Sequence, residues 1–166
     1  MLFVLAAAAA LFVTLSAFAG MAAFTYFGDR ATVKKQVDVA RTAAGAITTL
    51  WTYTPDTVDT LADRAAEYLG GDFEEQYRKF MKSVVVPGKQ AQVTNKTDVV
   101  GVAVESIDGP QAVVMVFANN TAISPLTNNV PSLKYVSYLL KLESRGSKWF
   151  VTGLSTIGSM DLTPKL

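Results

Sequence analysis

The spacing of apolar residues changes character twice along this chain. Before Asp29 there is no charged side chain, and Leu2, Leu5, Leu11, Phe12, Leu15, Phe18, Phe24 and Tyr26 stand among alanines and other small residues. As a helix rising ~1.5 Å per residue, this run reaches roughly 39 Å, more than the ~30 Å of a hydrocarbon core. From Asp29 the pattern turns amphipathic. Val33, Val37, Ala40, Ala44, Ile47 and Trp51 recur at helical spacing and leave Lys34, Lys35, Asp38 and Arg41 to solvent. This helix should end near Tyr53-Thr54-Pro55. A second is predicted from Asp56 or Thr57, with Val58, Leu61, Ala62, Ala65 and Leu69 inward and Gly70-Gly71 as its stop. Asp72, three residues ahead of Glu75, resembles a capping box. It opens a third helix, with Phe73, Tyr77, Phe80, Met81 and Val84 inward, that closes before Pro87.

Beyond Pro87 the period becomes strand-like. Val93, Val99, Val100, Val102, Val104 and Ile107 mark a first strand over 92–107, and Asp108-Gly109 a hairpin whose following Pro110 favours a longer loop. Ala112 to Phe117 is apolar on both faces and reads as a central strand. Asn119 to Pro131 reads as a polar loop, Leu133 to Leu142 as strand three, and Lys148 to Thr156 as strand four. Three helices followed by four antiparallel strands is an α+β layout. A curved sheet wrapped round the helices buries this many apolar residues economically. The predicted organisation is a transmembrane anchor over 1–28, one domain over 29–160, and a C-terminal tail over 161–166.

Composition narrows the chemistry. Half of the 166 residues are apolar, and 15 basic side chains nearly balance 14 acidic ones, all of them in residues 29–166. Such a chain is too hydrophobic for disorder and lacks the basic excess of a nucleic-acid binder. There is no cysteine and no histidine. Thiolate metal sites, cysteine nucleophiles, the commonest general base and the partner of a serine nucleophile are therefore absent, so Ser137 and Ser155 have no base to activate them. Asp56, Asp59, Asp63 and Glu67 form an acidic set that a solvated helix face explains, and Arg64 and Glu67 are spaced as a surface pair. No GxxxxGK[ST] sequence occurs. No catalytic, cofactor or metal residue is assigned.

Two readings of the first segment compete. Ala17-Phe18-Ala19 before Gly20 fits a signal-peptide cleavage site, but no basic region precedes it and the apolar run continues to Phe27. An uncleaved anchor is the reading adopted. Arg30, Lys34, Lys35 and Arg41, taken alone, would place the C-terminal side in the cytoplasm. Small residues, Ala9, Ala10 and Gly20 among them, would let another membrane helix approach closely.

A set of short motifs carries a family resemblance. Leu50-Trp51-Thr52-Tyr53, Gly71-Asp72-Phe73 with Gln76-Tyr77, Val86-Pro87, Gly101-Val102, Ala112 to Thr121, and Gly146-Ser147-Lys148-Trp149-Phe150-Val151 follow one another in order. Over residues 30–157 this pattern resembles the actinobacterial Mce-associated membrane proteins. The resemblance implies a cone-shaped domain like nuclear transport factor 2, exported on a single anchor. It also implies a non-catalytic accessory role with Mce lipid-import complexes of the mycobacterial envelope. The expected partners are permease or Mce subunits and the lipid around the anchor, with the domain on the extracytoplasmic side of the cytoplasmic membrane. Val113, Met115, Phe117, Tyr135 and Tyr138 are the expected interaction or cavity face. The alternatives are an envelope protein holding a lipid in the cone, or an isomerase- or cyclase-like enzyme of the same fold.

Overall fold

The computed structural model describes residues 30–163. The predicted anchor, with Leu2 to Tyr26 and the contact residues Ala9, Ala10 and Gly20, lies outside them. Among the described residues no helix is long and apolar enough to cross a membrane. The chain divides into two compact units, Met1–Val37 and Asp38–Leu166. In the first, residues 30–37 are helical, and Val33 and Val37 are exposed.

The second unit sets three helices on a four-stranded sheet. Helix α1 occupies residues 38–51. A 3-10 turn at Val58–Thr60 leads into α2 (Leu61–Ala65), and α3 spans Asp72–Gln90. Strands β1 (Thr94–Asp108), β2 (Gln111–Ile123), β3 (Ser132–Arg145) and β4 (Lys148–Asp161) follow, antiparallel and in chain order across the sheet. The α+β layout read from the sequence is the observed one.

The core lies on one face of that sheet. Ala112, Val114, Val116 and Ala118 of β2 are buried together with Val136, Tyr138, Leu140 and Leu142 of β3 and Val151 of β4. Their cover comes from Val39, Ala43, Ala46, Ile47 and Leu50 of α1, with Val58, Leu61, Ala65, Tyr77 and Met81. Each fully buried Leu or Val contributes roughly 1.5–3 kcal/mol relative to exposure.

The buried stripe of the first helix differs from the predicted one, which began at Val33 and Val37. Several small residues make more than one side of α1 apolar, so periodicity leaves its rotation open. Packing selects the side where Ala43 and Ala46 allow close approach to the sheet. On another side the Tyr68 ring covers Gly45 so closely that a Cβ there would lie 2.7 Å from its Cε1.

The second helix is shorter than predicted and ends before Leu69. Val151 N donates to Tyr68 O (2.8 Å) and Gly70 N to Val151 O (3.0 Å), so residues 68–70 run parallel to β4. Backbone groups used in that ladder are not available to a helix. Gly71 is the N-cap of α3 and no side chain caps it, so Asp72 acts inside the first turn, with Glu74 and Glu75, where acids suit the helix dipole. The predicted capping box is not formed.

Helix α3 also continues through Pro87 to Gln90. Pro87 costs only a bond in the last turns, its carbonyl accepts from Ala91 N (2.9 Å), and Lys89 is ion-paired with Asp59. Gly109-Pro110 forms a two-residue turn between Asp108 and Gln111, tighter than expected, because Gly109 takes φ 53° and Pro110 a negative φ. Strand β2 runs on through Asn119–Ile123, a stretch read as loop. Polar residues continue a ladder when both neighbours pair with it, as Thr97 and Lys134 do with Asn120. Strand β4 likewise extends to Asp161.

Gly71 holds φ 62° and ψ −149°, a conformation nearly confined to glycine. Gly71→Ala should lower unfolding stability by about 1–3 kcal/mol, read as a lower urea midpoint at unchanged slope.

Candidate functional site

The sheet has two unlike faces, and the residues singled out from the sequence divide between them. Val113, Met115 and Phe117 of β2 alternate with the buried residues and point away from the helices, half-buried. Across the ladders Met115 pairs with Ala103 and Leu139, and Phe117 with Gly101 and Ser137. Gly101 leaves its space to the Phe117 ring, which a Cβ there would meet at 3.6 Å. Tyr135 joins this face, stacked on Phe117 with ring centres 6.4 Å apart and planes 11° from parallel. Its neighbour on β4 is Met160, which is exposed. The result is an apolar band along the outer face. Charge appears towards its margins, as Lys141 opposite Val113 and as the Lys96–Asp98 ion pair (2.9 Å).

Tyr138 is not part of that band. It lies on the inner face, buried, and stacks on Trp51 at 6.3 Å and 14°. Its hydroxyl accepts from Asn120 Nδ2 (3.0 Å), and Asn120 Oδ1 accepts from the Thr97 hydroxyl (3.0 Å). Thr97 Oγ1 is also 3.3 Å from Trp51 O, and Thr97 N donates to Thr52 Oγ1 (3.2 Å). Burial raises the Tyr138 pKa, with Asn120 offsetting part of the rise. This network ties the end of α1 to β1, β2 and β3. Thr97 and Asn120 were not read as site residues from the sequence. Their only signal is parity, since they share the inward phase of Val99 and Ala118 once the register is known.

A small apolar cavity of about 260 Å³ lies where α1, α3 and β4 meet, lined by Leu50, Trp51, Phe73, Tyr77, Phe80 and Leu154. Tyr77 donates its hydroxyl to Leu50 O (2.8 Å), and burial pushes its pKa well above the ordinary tyrosine range. A wider cleft, about 670 Å³, opens between α1 and the β3–β4 turn beside Arg41, Glu67, Tyr68, Lys148 and Phe150. Trp149 is core.

Two of the four acidic residues, Asp59 and Asp63, are in structural ion pairs. Asp59 meets Lys89, and Asp63 Oδ1 meets Arg78 Nη1 (2.7 Å), whose Nε also reaches Glu74 (3.2 Å). The hydrogen bonds that Arg78 donates to Asp63 and then to Glu74 raise its pKa. Arg64 reaches the carbonyls of Thr52 (3.4 Å) and Thr57 (3.5 Å). Among the described residues no three His, Cys, Asp or Glu side chains come together as metal ligands.

The chain matches no family model. A protein of Mycobacterium tuberculosis described as uncharacterized is 32% identical over 120 residues, which are 72% of this chain and 54% of that protein. The chain thus spans about half the length of that relative. An outer membrane protein of the same organism is 28% identical over 123 residues, 74% of this chain and 76% of its own. Among solved structures, an IcmL-like type IV secretion system protein from Legionella pneumophila superimposes with a TM-score of 0.61 at 15% identity, covering 78% of this chain and 95% of its own. VirB8 of Agrobacterium tumefaciens gives 0.59 at 12% identity, covering 80% and 96%. At these identities the likeness is one of fold, three helices on a four-stranded antiparallel sheet in the manner of nuclear transport factor 2.

Two outcomes follow from the inner face. Thr97→Val should destabilise the domain by about 1–3 kcal/mol in denaturant titration, because Asn120 Oδ1 loses its donor in a buried setting. Tyr77 stays neutral in the folded state above pH 10.0, where unfolded tyrosine ionises. Its contribution is therefore complete below that pH and lost as pH rises beyond it, by up to about 1.4 kcal/mol per pH unit for each such tyrosine. Tyr77→Phe should flatten the fall in stability measured between pH 9 and 11.

Proposed function

We propose that this protein is a non-catalytic, membrane-anchored subunit of a transport complex in the mycobacterial envelope, of the Mce lipid-import type. The domain stands on the extracytoplasmic side, held by the segment before Asp29, and connects or stabilises other subunits. The observation that carries this reading is the outer face of the sheet. Val113, Met115, Phe117, Tyr135 and Met160 form an apolar band that no helix of the domain covers. The band is half-buried except at Met160, and a contiguous, partly exposed apolar surface rimmed by charge is the usual mark of an interaction site. The ordered motifs resembling Mce-associated membrane proteins support the Mce type of complex. The mycobacterial relatives, one of them called an outer membrane protein, support the envelope.

The inner face supports the non-catalytic part of the reading. Its polar groups, Thr97, Asn120 and Tyr138, with Tyr77 of α3, are engaged in holding α1, and Asp59 and Asp63 are exposed and ion-paired with Lys89 and Arg78. The alternative of a bound lipid has less support in the described pockets: the apolar one holds about 260 Å³, below the ~300–1,000 Å³ usual for a small-molecule ligand, and the wider 670 Å³ cleft is bordered by Arg41, Glu67 and Lys148.

The test is recovery of the importer from mycobacterial membranes with the full chain as bait. Met115→Glu should leave the fold intact and reduce copurified permease and Mce subunits by at least ~10-fold, a loss of about 1.4 kcal/mol or more. Replacing Ala9, Ala10 and Gly20 by leucine should keep the chain in the membrane and release it from the complex. Full retention by both variants, with normal lipid uptake when the chain is deleted, would refute the subunit reading.

A further inference from the structure

The two edges of the sheet are built differently. Edge strand β1 carries Lys96, Asp98, Glu105 and Asp108, and its start is already paired, Tyr53 and Asn95 exchanging backbone hydrogen bonds of 2.9 and 2.8 Å. Charge along an edge discourages pairing with another chain. Edge strand β4 has no charged residue and no proline between Lys148 and Asp161. Residues 68–70 cover it at Val151. From Ser155 to Leu162 both of its faces are exposed, and Ile157, Met160 and Leu162 are 52%, 61% and 49% accessible. The β3–β4 ladder shifts register at Thr152 and Ile157, but beyond the second shift Gly158 to Asp161 pair regularly with β3.

We propose that this stretch of β4, whose outer edge no other described strand pairs, pairs antiparallel with the same stretch of a second copy of the chain, with the two-fold axis at Gly158, joining two four-stranded sheets into one of eight. A strand laid antiparallel against its own copy meets the requirement of an isologous interface, in which each contact occurs twice. In this register Asp161 faces Ser155 of the partner subunit, Met160 faces Thr156 of the partner subunit, and Ile157 faces Ser159 of the partner subunit. No like charges oppose one another. A highly charged partner strand would find Asp161 as the single charged residue on the stretch 155–161, whereas a second copy of that stretch is as sparsely charged as the first. At the axis Gly158 carries no side chain, and the space over that face of the strand is open, since a Cβ there would meet no described atom within 4 Å. Pairing also places Met160 of each copy beside the dyad, extending the outer apolar band, through Tyr135, across the joined sheets.

The chain has no cysteine, so one introduced thiol is its only one. Residues facing across an antiparallel pair have Cα atoms about 4.5–5.5 Å apart, within the 4.4–6.8 Å that a disulfide spans. Gly158→Cys in the full chain, oxidised in membranes, should give a disulfide-linked dimer. Gly153→Cys should give at least ~10-fold less, because ten residues of register put it roughly 33 Å from its own copy. A maximum at any position in a cysteine scan of 156–160 supports the edge pairing and sets its register. No link across that window, or equal linking at 153, overturns it. As a second measurement, Gly158→Lys and Gly158→Glu in detergent should each be monomeric by mass, and an equimolar mixture should restore dimers. Dimers that persist in either variant alone, or a monomeric wild-type chain, overturn the proposal and leave the edge to a strand from another protein. Importer binding is read separately, so the two proposals stand or fall apart.

Discussion

One face of a four-stranded sheet must be kept from water by very little chain, and the rest of the domain follows from how that is done. Ala112, Val114, Val116 and Ala118 present a shallow surface at the centre of the sheet. A helix covers such a surface well only if its own facing side chains are short, since close packing leaves few voids. Helix α1 supplies Val39, Ala43 and Ala46 there and brings the larger Ile47 and Leu50 to the far end. Its approach fixes where Trp51 meets Tyr138, and that contact sets the depth at which β1 and β3 carry their polar partners.

The polar groups inside the domain are consequences of that placement. The last turn of a helix leaves carbonyls without intrahelical donors. Here Leu50 O is met by the Tyr77 hydroxyl and Trp51 O by Thr97. Helix α3 is thereby clamped to the end of α1 and is further tied to the short α2 region by Arg78 with Asp63 and by Lys89 with Asp59. The side chains with chemical potential on the inner side are thus largely committed to holding the helices. What remains uncommitted is surface: the band on the outer face and the far half of β4.

Both surfaces suit a protein that works by contact. The outer band offers aromatic and methionine side chains seated over glycine and small residues, a shape into which another apolar surface can fit. The end of β4 offers backbone. The two adjoin at Met160, opposite Tyr135, so pairing along the edge would enlarge the band and not compete with it.

The sequence by itself determined the class and order of the elements. The switch from helical to alternating spacing after Pro87 separates three helices from four strands, and Val113, Met115 and Phe117 were legible as a face because alternation puts every second residue on the same side. Several features were decided only by tertiary structure. The rotation of α1 depended on which of several apolar sides fits closest to the sheet. The shortening of the second helix came from Val151, some eighty residues away in the chain, which takes the backbone of Tyr68 and Gly70 into its own ladder. Strand β2 passed through Asn119–Ile123 because pairing is set by neighbouring strands and not by apolar content. Tyr135 and Tyr138 fell on opposite faces because they lie three positions apart in a strand of period two. Thr97 and Asn120 became a tether only when the register placed them opposite one another beneath Trp51. Local spacing reports on periodicity within one segment. Which hydrogen-bonding groups and faces are shared between segments depends on distances that only the folded chain creates.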